Sequence, residues 1–245
     1  DESLVTVGGN FTANGGYRDD GVRLGLMDIY GNLNVKLYGS ISTFGNDTSI
    51  ADPASGTTTI FGNFNYTGGA GVDFIDFANA VLYGNGYWNL GSGEDAIQLD
   101  DFFDSTNPGA AHTYIGGNLT VLADQVDTTL LSTPVGIQAE IGGNLAFYLG
   151  NGDSNIVLDS GPNPGEGANI GGKLIIRAGN GNNQLSFLDN FATGDLRTFT
   201  LDVIFGNGDN TVTLNNQDVT LTGLLAAGSG TNTLNQILGT LAPTL

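Results

Sequence analysis

The chain contains no cysteine, so neither disulfide bonds nor thiolate metal sites can hold it together. Only 6 of its 245 residues are lysine or arginine, against 25 aspartates and glutamates, which gives a formal net charge of -19. Binding to nucleic acid and to anionic membranes depends on clustered basic residues, so the sequence predicts no nucleic-acid partner. No stretch reaches the roughly 18 consecutive apolar residues of a spanning helix, so we also expect no membrane insertion.

The first residue is Asp1 rather than methionine. A secreted protein whose signal peptide has been removed begins in this way, and so does a trimmed piece of a longer chain; we expect the first, with an extracellular, cell-surface location. Because an exported protein without disulfides has only packing and backbone hydrogen bonds to stabilise it, those two terms should dominate its stability.

Glycine is abundant, with 40 residues, and much of it belongs to an internal repeat. One repeated phrase is a glycine followed by asparagine or lysine and then by alternating apolar residues. The copies begin at Gly9, Gly31, Gly62, Gly84, Gly117, Gly143 and Gly172. In the copy at Gly84, Gly86 takes the first apolar position and Trp88 takes the second.

A second phrase follows most copies of the first. It reads Gly-x-Gly-x-[Asp/Asn/Ser/Thr] and leads into further alternating apolar residues, with copies that begin at Gly69, Gly91, Gly150, Gly179, Gly206 and Gly228. Degenerate strand copies occur at 201–203 and 219–221. Two strand phrases in a fixed order are typical of a solenoid.

We therefore predict an all-β fold, a right-handed single-stranded parallel β-helix of about nine coils. A single domain would cover residues 1–245, with an assembly or capping tail at 237–245. Each coil would contain a strand, a glycine-rich corner, a second strand and a return segment. Stacking would align one interior column of Phe11, Leu33, Phe64, Leu119, Leu145 and Leu174, and another of Ile75, Ile97, Leu185 and Val212.

The asparagine that follows the repeated glycine is the first candidate site. In stacked corners, identical amides can hydrogen-bond to one another and to the backbone, which predicts a structural ladder of Asn10, Asn32, Asn63, Asn85, Asn118 and Asn144. Glycosylation is the alternative for some asparagines, because Asn10, Asn46, Asn65 and Asn118 lie in Asn-x-Thr sequons.

Length differences between coils fall between the second strand and the next Gly-Asn phrase. The long insertions are Ala51 to Thr59, Asp100 to Tyr114, Asp159 to Asn169 and Asp189 to Thr198. In-register stacking would put all of them on one flank, either as a binding surface or as loops that tolerate insertion.

Two stretches, at 116–121 and 142–145, resemble the coils of filamentous-haemagglutinin-type adhesins and related bacterial surface β-helix proteins. The Gly-x-Gly-x-Asp phrases resemble single units of the calcium-binding repeats-in-toxin nonapeptide, although here they occur once per coil. The second resemblance implies calcium as a possible cofactor, held by Asp73 and Asp95 at one corner. In later coils Asn183, Asn210 and Asn232 take that position, which favours a neutral ladder there.

Open strand edges at the two ends of a solenoid invite pairing with another chain. The first segment carries Leu4, Val5 and Val7, and the last carries Ile237, Leu238, Leu241 and Leu245, with no charged side chain from 237 onward. These residues are candidates for end-to-end self-association. The alternative is that the chain is a piece of a longer solenoid, which would explain both open edges equally well.

These features predict a structural or adhesive extracellular protein that assembles head to tail into fibres or matrix, with glycans or a host cell surface as further partners. The alternative is a carbohydrate-binding or polysaccharide-degrading β-helix that uses the decorated flank. Asp100, Asp101 and Asp104 could supply a carboxylate pair there. Lone His112 has no nucleophile beside it in sequence, so we predict no catalytic residues and no enzyme activity.

Overall fold

The computed structural model describes residues 4–39, 41–46, 57–78, 80–100, 113–127, 139–159, 168–188 and 197–244. These residues form 22 strands and no helix, in a sheet of seven strands and a sheet of 15 strands. Every strand pairing among them is parallel, from the first turn to the last, so the predicted parallel β-solenoid is confirmed.

The seven-stranded sheet forms face 1 of the solenoid. It consists of β1 (Val5–Val7), β4 (Met27–Ile29), β7 (Thr58–Ile60), β10 (Ala80–Leu82), β12 (Tyr114–Ile115), β14 (Glu140–Ile141) and β17 (Asn169–Ile170). These strands have two or three residues each, too few to show an alternating pattern in the sequence. The predicted return segment therefore contains a third strand that its sequence did not reveal.

The larger sheet bends into two faces. Face 2 begins with β2 (Phe11–Asn14), β5 (Leu33–Lys36), β8 (Phe64–Thr67) and the first half of β11 (Gly86–Asp100). It continues with the first half of β13 (Leu119–Asp127), β15 (Leu145–Leu149), β18 (Lys173–Arg177), β20 (Arg197–Phe205) and the second half of β21 (Thr211–Ala227). Face 3 contains β3 (Asp20–Leu24), β6 (Ile41–Asn46), β9 (Val72–Ala78), the second halves of β11 and β13, β16 (Ser154–Asp159), β19 (Asn183–Leu188), the first half of β21 and the start of β22 (Thr233–Thr244).

The number of turns differs slightly from the prediction. Seven turns contribute a strand to face 1, against the roughly nine coils expected. The degenerate copies at 201–203 and 219–221 lie in β20 and β21, which run without a break through the corner and pair within the larger sheet.

The core is the stack of inward columns that the repeat predicts. Leu33 pairs with Phe64, and Leu119 pairs with Leu145, which in turn pairs with Leu174; all of these are buried. On face 3, Ile75 is aligned with Ile97, and Leu185 with Val212. Because strands are about 4.8 Å apart, each buried side chain packs on its counterpart in the next turn.

One position in the first column is a glycine, and a large neighbour fills the space. Gly86 is aligned with Phe64 on one side and Leu119 on the other. The indole ring of Trp88 is fully buried and packs against Phe64 at 5.4 Å between ring centroids and against Phe77 at 6.0 Å. A Cβ atom at residue 86 would lie 2.6 Å from a methyl carbon of Leu119. Glycine and tryptophan therefore act as a matched pair.

We predict that Gly86→Leu destabilises the protein by about 1–3 kcal/mol, because the added side chain overpacks a filled core. Adding Trp88→Val should restore much of the loss, since the next turn has Leu119 and Val121 at the same two positions. The exposed neighbour variant Tyr87→Leu serves as the control. Chemical denaturation followed by circular dichroism measures the variants and the original chain; a double variant no better than Gly86→Leu would contradict the pairing.

Candidate functional site

The six asparagines predicted to stack lie together at the corner between face 1 and face 2. The Oδ1 atom of Asn10 accepts a hydrogen bond from the backbone N–H of Asn32 at 2.8 Å, and the same bond repeats from turn to turn. The later donors are the N–H groups of Asn63, Asn85, Asn118, Asn144 and Lys173, at 2.8–2.9 Å from the preceding Oδ1 atoms. We call this row the asparagine ladder.

From the second turn onward, the glycine before the ladder asparagine is required by the closeness of the turns, whereas Gly9 in the first turn has open space around it. A Cβ atom at Gly62 would lie 2.6 Å from Oδ1 of Asn32 and 2.5 Å from the carbonyl oxygen of Gly31. Both distances are shorter than van der Waals contact, so any larger residue would push the turns apart and break the ladder. The amide of Asn118, which lies in a sequon, also donates to Asn85 Oδ1 at 3.3 Å, so the folded ladder competes with its glycosylation.

Two further ladders lie at the corner between face 2 and face 3, and sequence reasoning missed them. In one, side-chain oxygens of successive turns accept backbone N–H bonds in the order Asp124, Asn151, Asn180 and Asn207, and the last donor is Ser229. In the other, the order is Asp153, Asn182 and Asp209, and the last donor is Thr231. The signal was present, because most of these residues occupy the two x positions of the Gly-x-Gly-x phrase.

We predict that Asn85→Ala lowers the free energy of unfolding by about 1 kcal/mol, because it leaves the backbone N–H of Asn118 without its acceptor. Asn65→Ala is the matched control: Asn65 lies on β8 and its Nδ2 atom donates to the side chain of Asn34. Thermal denaturation of the two variants measures the difference. Equal losses would show that the ladder contributes nothing beyond an ordinary surface amide.

Asp73 and Asp95, the predicted calcium ligands, lie in adjacent turns on the inner side of the corner between faces 2 and 3. They are 1% and 0% exposed. The backbone N–H of Asp73 donates to Asp95 Oδ1 at 3.0 Å. The hydroxyl of Tyr66 donates to Asp73 Oδ1 at 2.7 Å, and the N–H of Gly69 donates to Asp73 Oδ2 at 3.2 Å. Asp95 Oδ2 is buried and accepts no hydrogen bond.

Burial controls the protonation of this pair. Burial is the largest cause that raises the pKa of Asp95; the Asp73 N–H lowers this pKa, the carboxyl groups of Asp73 and Asp124 raise it, and the combined result is a pKa of about 7. Burial also raises the pKa of Asp73, although hydrogen bonds from Tyr66 and Gly69 oppose the change. Because two like charges in adjacent turns repel, the pair favours a state that retains a proton.

The surroundings of the pair bear on the calcium prediction. Calcium takes six to eight oxygen ligands, whereas three of these four carboxylate oxygens already accept bonds from protein donors. Within the described ranges, no group of three or more acidic, histidine or cysteine side chains could hold a metal. In later turns the same column holds Val126 and Ser154 and then only asparagines, with Asn183 Nδ2 donating to Asn210 Oδ1 at 3.0 Å. Calcium at Asp73 and Asp95 stays a prediction.

We predict that stability falls as the pH rises from about 4 to about 7. The unfolded chain releases the Asp95 proton near its ordinary pKa of 3.8, while the folded chain holds it until about 7, so proton binding stabilises the folded state below this window and the gain is lost across it. Asp95→Asn removes the titrating group, keeps an acceptor for the Asp73 N–H and should stabilise the protein at pH 8 by on the order of 2–4 kcal/mol.

The control for this experiment is Glu94→Gln, which makes the same charge change at the exposed neighbouring residue. Denaturation midpoints measured from pH 4 to pH 8 compare the two variants with the original chain. A pH profile of Asp95→Asn parallel to that of the original chain would refute the assignment to Asp95.

Most candidate assembly residues lie on strands that have a single partner among the described strands: Val5 and Val7 on β1, and Ile237, Leu238 and Leu241 on β22. β1, β2 and β3 pair only with β4, β5 and β6, and β22 pairs only with β21, among the strands of the described ranges. Leu4 and Val5 are each 50% exposed, and Val7 packs partly buried on the core. Ile237 is 64% exposed. The side chains of Leu238 and Leu241, and all of Leu245, lie outside the described residues.

The four predicted insertions leave from one corner, together with a fifth segment, 128–138, that was not predicted. The described residues on either side show that chain segments 47–56, 101–112, 128–138, 160–167 and 189–196 each connect the end of a face 3 strand to the next strand that follows it in face 1 or β20. Asp101, Asp104 and His112, and the side chain of Asp100, lie outside the described residues.

A row of surface aromatic rings is a feature that sequence reasoning missed. Tyr30 stacks on Phe61 with ring centroids 4.6 Å apart, Phe61 stacks on Tyr83 at 5.4 Å, and Tyr114 meets Tyr83 edge-on at 6.5 Å. Tyr30, Phe61 and Tyr83 each lie two residues before a ladder asparagine, so the repeat itself carried the signal. We call these four residues the aromatic row.

Comparison of the chain with protein-family models, with curated proteins and with solved structures gave no match. The part of the chain that the structure describes has no helix able to cross a membrane.

Proposed function

We propose that this chain is a structural or adhesive extracellular protein whose rods assemble end to end into surface fibres or matrix. The observation that carries the proposal is the state of the first and last described turns: among the described strands, theirs have a partner on one side only, and they expose apolar side chains. An unpaired strand edge is a template for a strand from another molecule.

The two ends differ in their strands, and this defines what a junction has to join. The first turn presents three short strands separated by glycine corners, whereas β22 is a single strand of 12 residues that bends across two faces. Leu4 and Val5 at one end and Leu234 and Ile237 at the other would be buried by such a junction. Burying apolar surface contributes about 25 cal/mol per Å².

The positions of five of the described acidic residues support a non-catalytic role. Asp73 and Asp95 face the interior, where no substrate has access. Asp124, Asp153 and Asp209 accept hydrogen bonds in the corner ladders. These carboxylates serve the fold, so the rod itself would be the functional object.

The relationship to filamentous-haemagglutinin-like surface proteins belongs to the same proposal. It is supported by the parallel solenoid and by the Gly-Gly-Asn-Leu corners at 116–119 and 142–145, both of which lie in the asparagine ladder. A glycan or cell-surface target would then be engaged along the rod, and calcium would act by bridging acidic surfaces.

Salt should promote end-to-end assembly. Rods with a net charge of -19 repel one another, and raising the ionic strength from about 0.01 M to about 0.15 M shortens the screening length from roughly 30 Å to roughly 8 Å. We expect filaments with a regular axial repeat in negative-stain microscopy, and light scattering that increases with salt. If a chelator dissolves the filaments, calcium ions that bridge acidic surfaces of neighbouring rods also contribute to assembly.

Ile237→Lys tests the junction because it places a charge on the exposed strand edge. It should abolish filaments and leave the circular dichroism spectrum unchanged. Val72→Lys is the control, since Val72 is 39% exposed on β9, a strand that is paired on both sides. Monomers under all conditions, or equal loss in both variants, would reject end-to-end assembly.

Carbohydrate binding is the second candidate, and the aromatic row favours it. Tyr30, Phe61 and Tyr83 are 55%, 42% and 56% exposed, which is unusual for stacked rings in a protein without a partner. Tyrosine combines an apolar ring with a polar hydroxyl, as sugar recognition requires. Retention of the chain in affinity gels that contain polysaccharide, and its loss in Tyr30→Ala, would support this function.

A further inference from the structure

The outward side of face 2 changes character along the rod. On β5, β8 and the first half of β11 the outward residues are polar or charged apart from one aromatic, Tyr87: they are Asn34, Lys36, Asn65, Thr67, Tyr87 and Asn89. On the next five strands, β13, β15, β18, β20 and β21, the aligned positions include Leu122, Ala146, Tyr148, Ile175, Ile204 and Leu224. We call these six residues the apolar half of face 2.

These side chains point away from the core, and all except the small Ala146, which is 5% exposed, are partly or largely accessible. Ile175 lies between the buried residues Leu174 and Ile176, so alternation along the strand sends it outward. Tyr148, Ile204 and Leu224 are 45%, 38% and 37% exposed. A sheet with one face in water normally carries polar residues there, and a contiguous apolar patch marks an interaction surface.

The charges on this surface suggest what covers it. Arg177 and Asp202 lie at its centre, and Lys173 lies at its edge. The guanidinium of Arg177 donates to Asp202 Oδ1 at 2.7 Å and to the Asp202 carbonyl oxygen, which holds it flat on the sheet. With Lys173 at one edge and exposed Asp124 at the other, the surface carries two basic and two acidic side chains. The whole chain has 6 basic and 25 acidic residues, so this patch lacks the acidic excess that keeps two copies apart.

We propose that the apolar half of face 2 is a docking surface for the same surface on a second copy of this chain. In a twofold interface, residue i of one copy meets residue j of the other and residue j meets residue i. A twofold axis between β18 and β20 brings Arg177 of each copy opposite Asp202 of the other, while the apolar side chains interdigitate as in packed sheets.

This surface is modest in size. Five strands cover roughly 20 Å along the rod. The area that a dimer would bury on this surface therefore lies at the lower end of the range for specific interfaces. The dimer should therefore dissociate in the micromolar range. Lateral pairing is independent of end-to-end assembly because it uses paired strands in the body of the rod, so either can fail without the other.

The experiment is sedimentation velocity over a concentration series at about 0.15 M salt. All proteins carry Ile237→Lys, so that end-to-end growth does not obscure lateral pairing. We expect a concentration-dependent dimer. Ile204→Lys should weaken it at least tenfold, while Asn65→Lys, which adds the same charge on the polar half of the same face, should leave it unchanged.

A charge exchange separates contacts between copies from the contact within one chain. Arg177→Asp and Asp202→Arg should each weaken self-association, because like charges then meet across the axis. An equimolar mixture of the two should form a heterodimer, since one chain brings two acidic groups and the other brings two basic groups. Circular dichroism checks that each variant is folded.

Three outcomes would overturn the proposal: a chain that stays monomeric at every concentration, equal weakening by Ile204→Lys and Asn65→Lys, or a charge-exchange mixture that remains monomeric. A surface that instead binds a glycan or an unrelated protein would give the first of these. A dimer that shows the variant pattern above, with or without filaments in the chain that retains Ile237, supports it.

Discussion

The structure depends on the hydrogen-bonded register between successive turns. Each turn pairs with the next in parallel, residue against residue, so every position in the chain becomes a column along the rod. The inward columns are apolar along the rod, the corner columns carry mainly amide side chains, and the outward columns vary from turn to turn. A single turn cannot bury its own inward residues, and stability therefore belongs to the interfaces between turns.

Residues at the corners and residues in the core both stabilise this register. At the corners, glycine permits the close approach of turns, and the following asparagine uses its Oδ1 atom to satisfy a backbone N–H of the next turn. In the core, departures from the consensus are compensated by neighbours, as where Trp88 fills the space beside Gly86. The buried carboxyl pair of Asp73 and Asp95 is an exception, because burying two carboxyl groups destabilises the folded state. In later turns, at Asn183 and beyond, the same column contains neutral amides.

Because the inward side chains pack against one another between turns, any binding of a partner or of another copy has to use the outer surface. The ends offer unpaired strand edges, the corner beside face 1 offers stacked aromatic rings, and the apolar half of face 2 offers a flat patch. Because the protein carries a net charge of -19, contacts between copies require either screening or a surface that lacks the acidic excess. End-to-end growth uses the first route and lateral pairing uses the second.

The sequence by itself determined the solenoid, its inward columns and the set of stacked asparagines, because a local phrase repeated in fixed order specifies the same local structure each time. It did not reveal face 1, whose strands of two or three residues show no period. Nor did it place Tyr66 on Asp73, align the aromatic row or gather Tyr148, Ile175 and Ile204 on one surface. Those contacts join residues from turns of unequal length, so only the tertiary register decided which of them are neighbours.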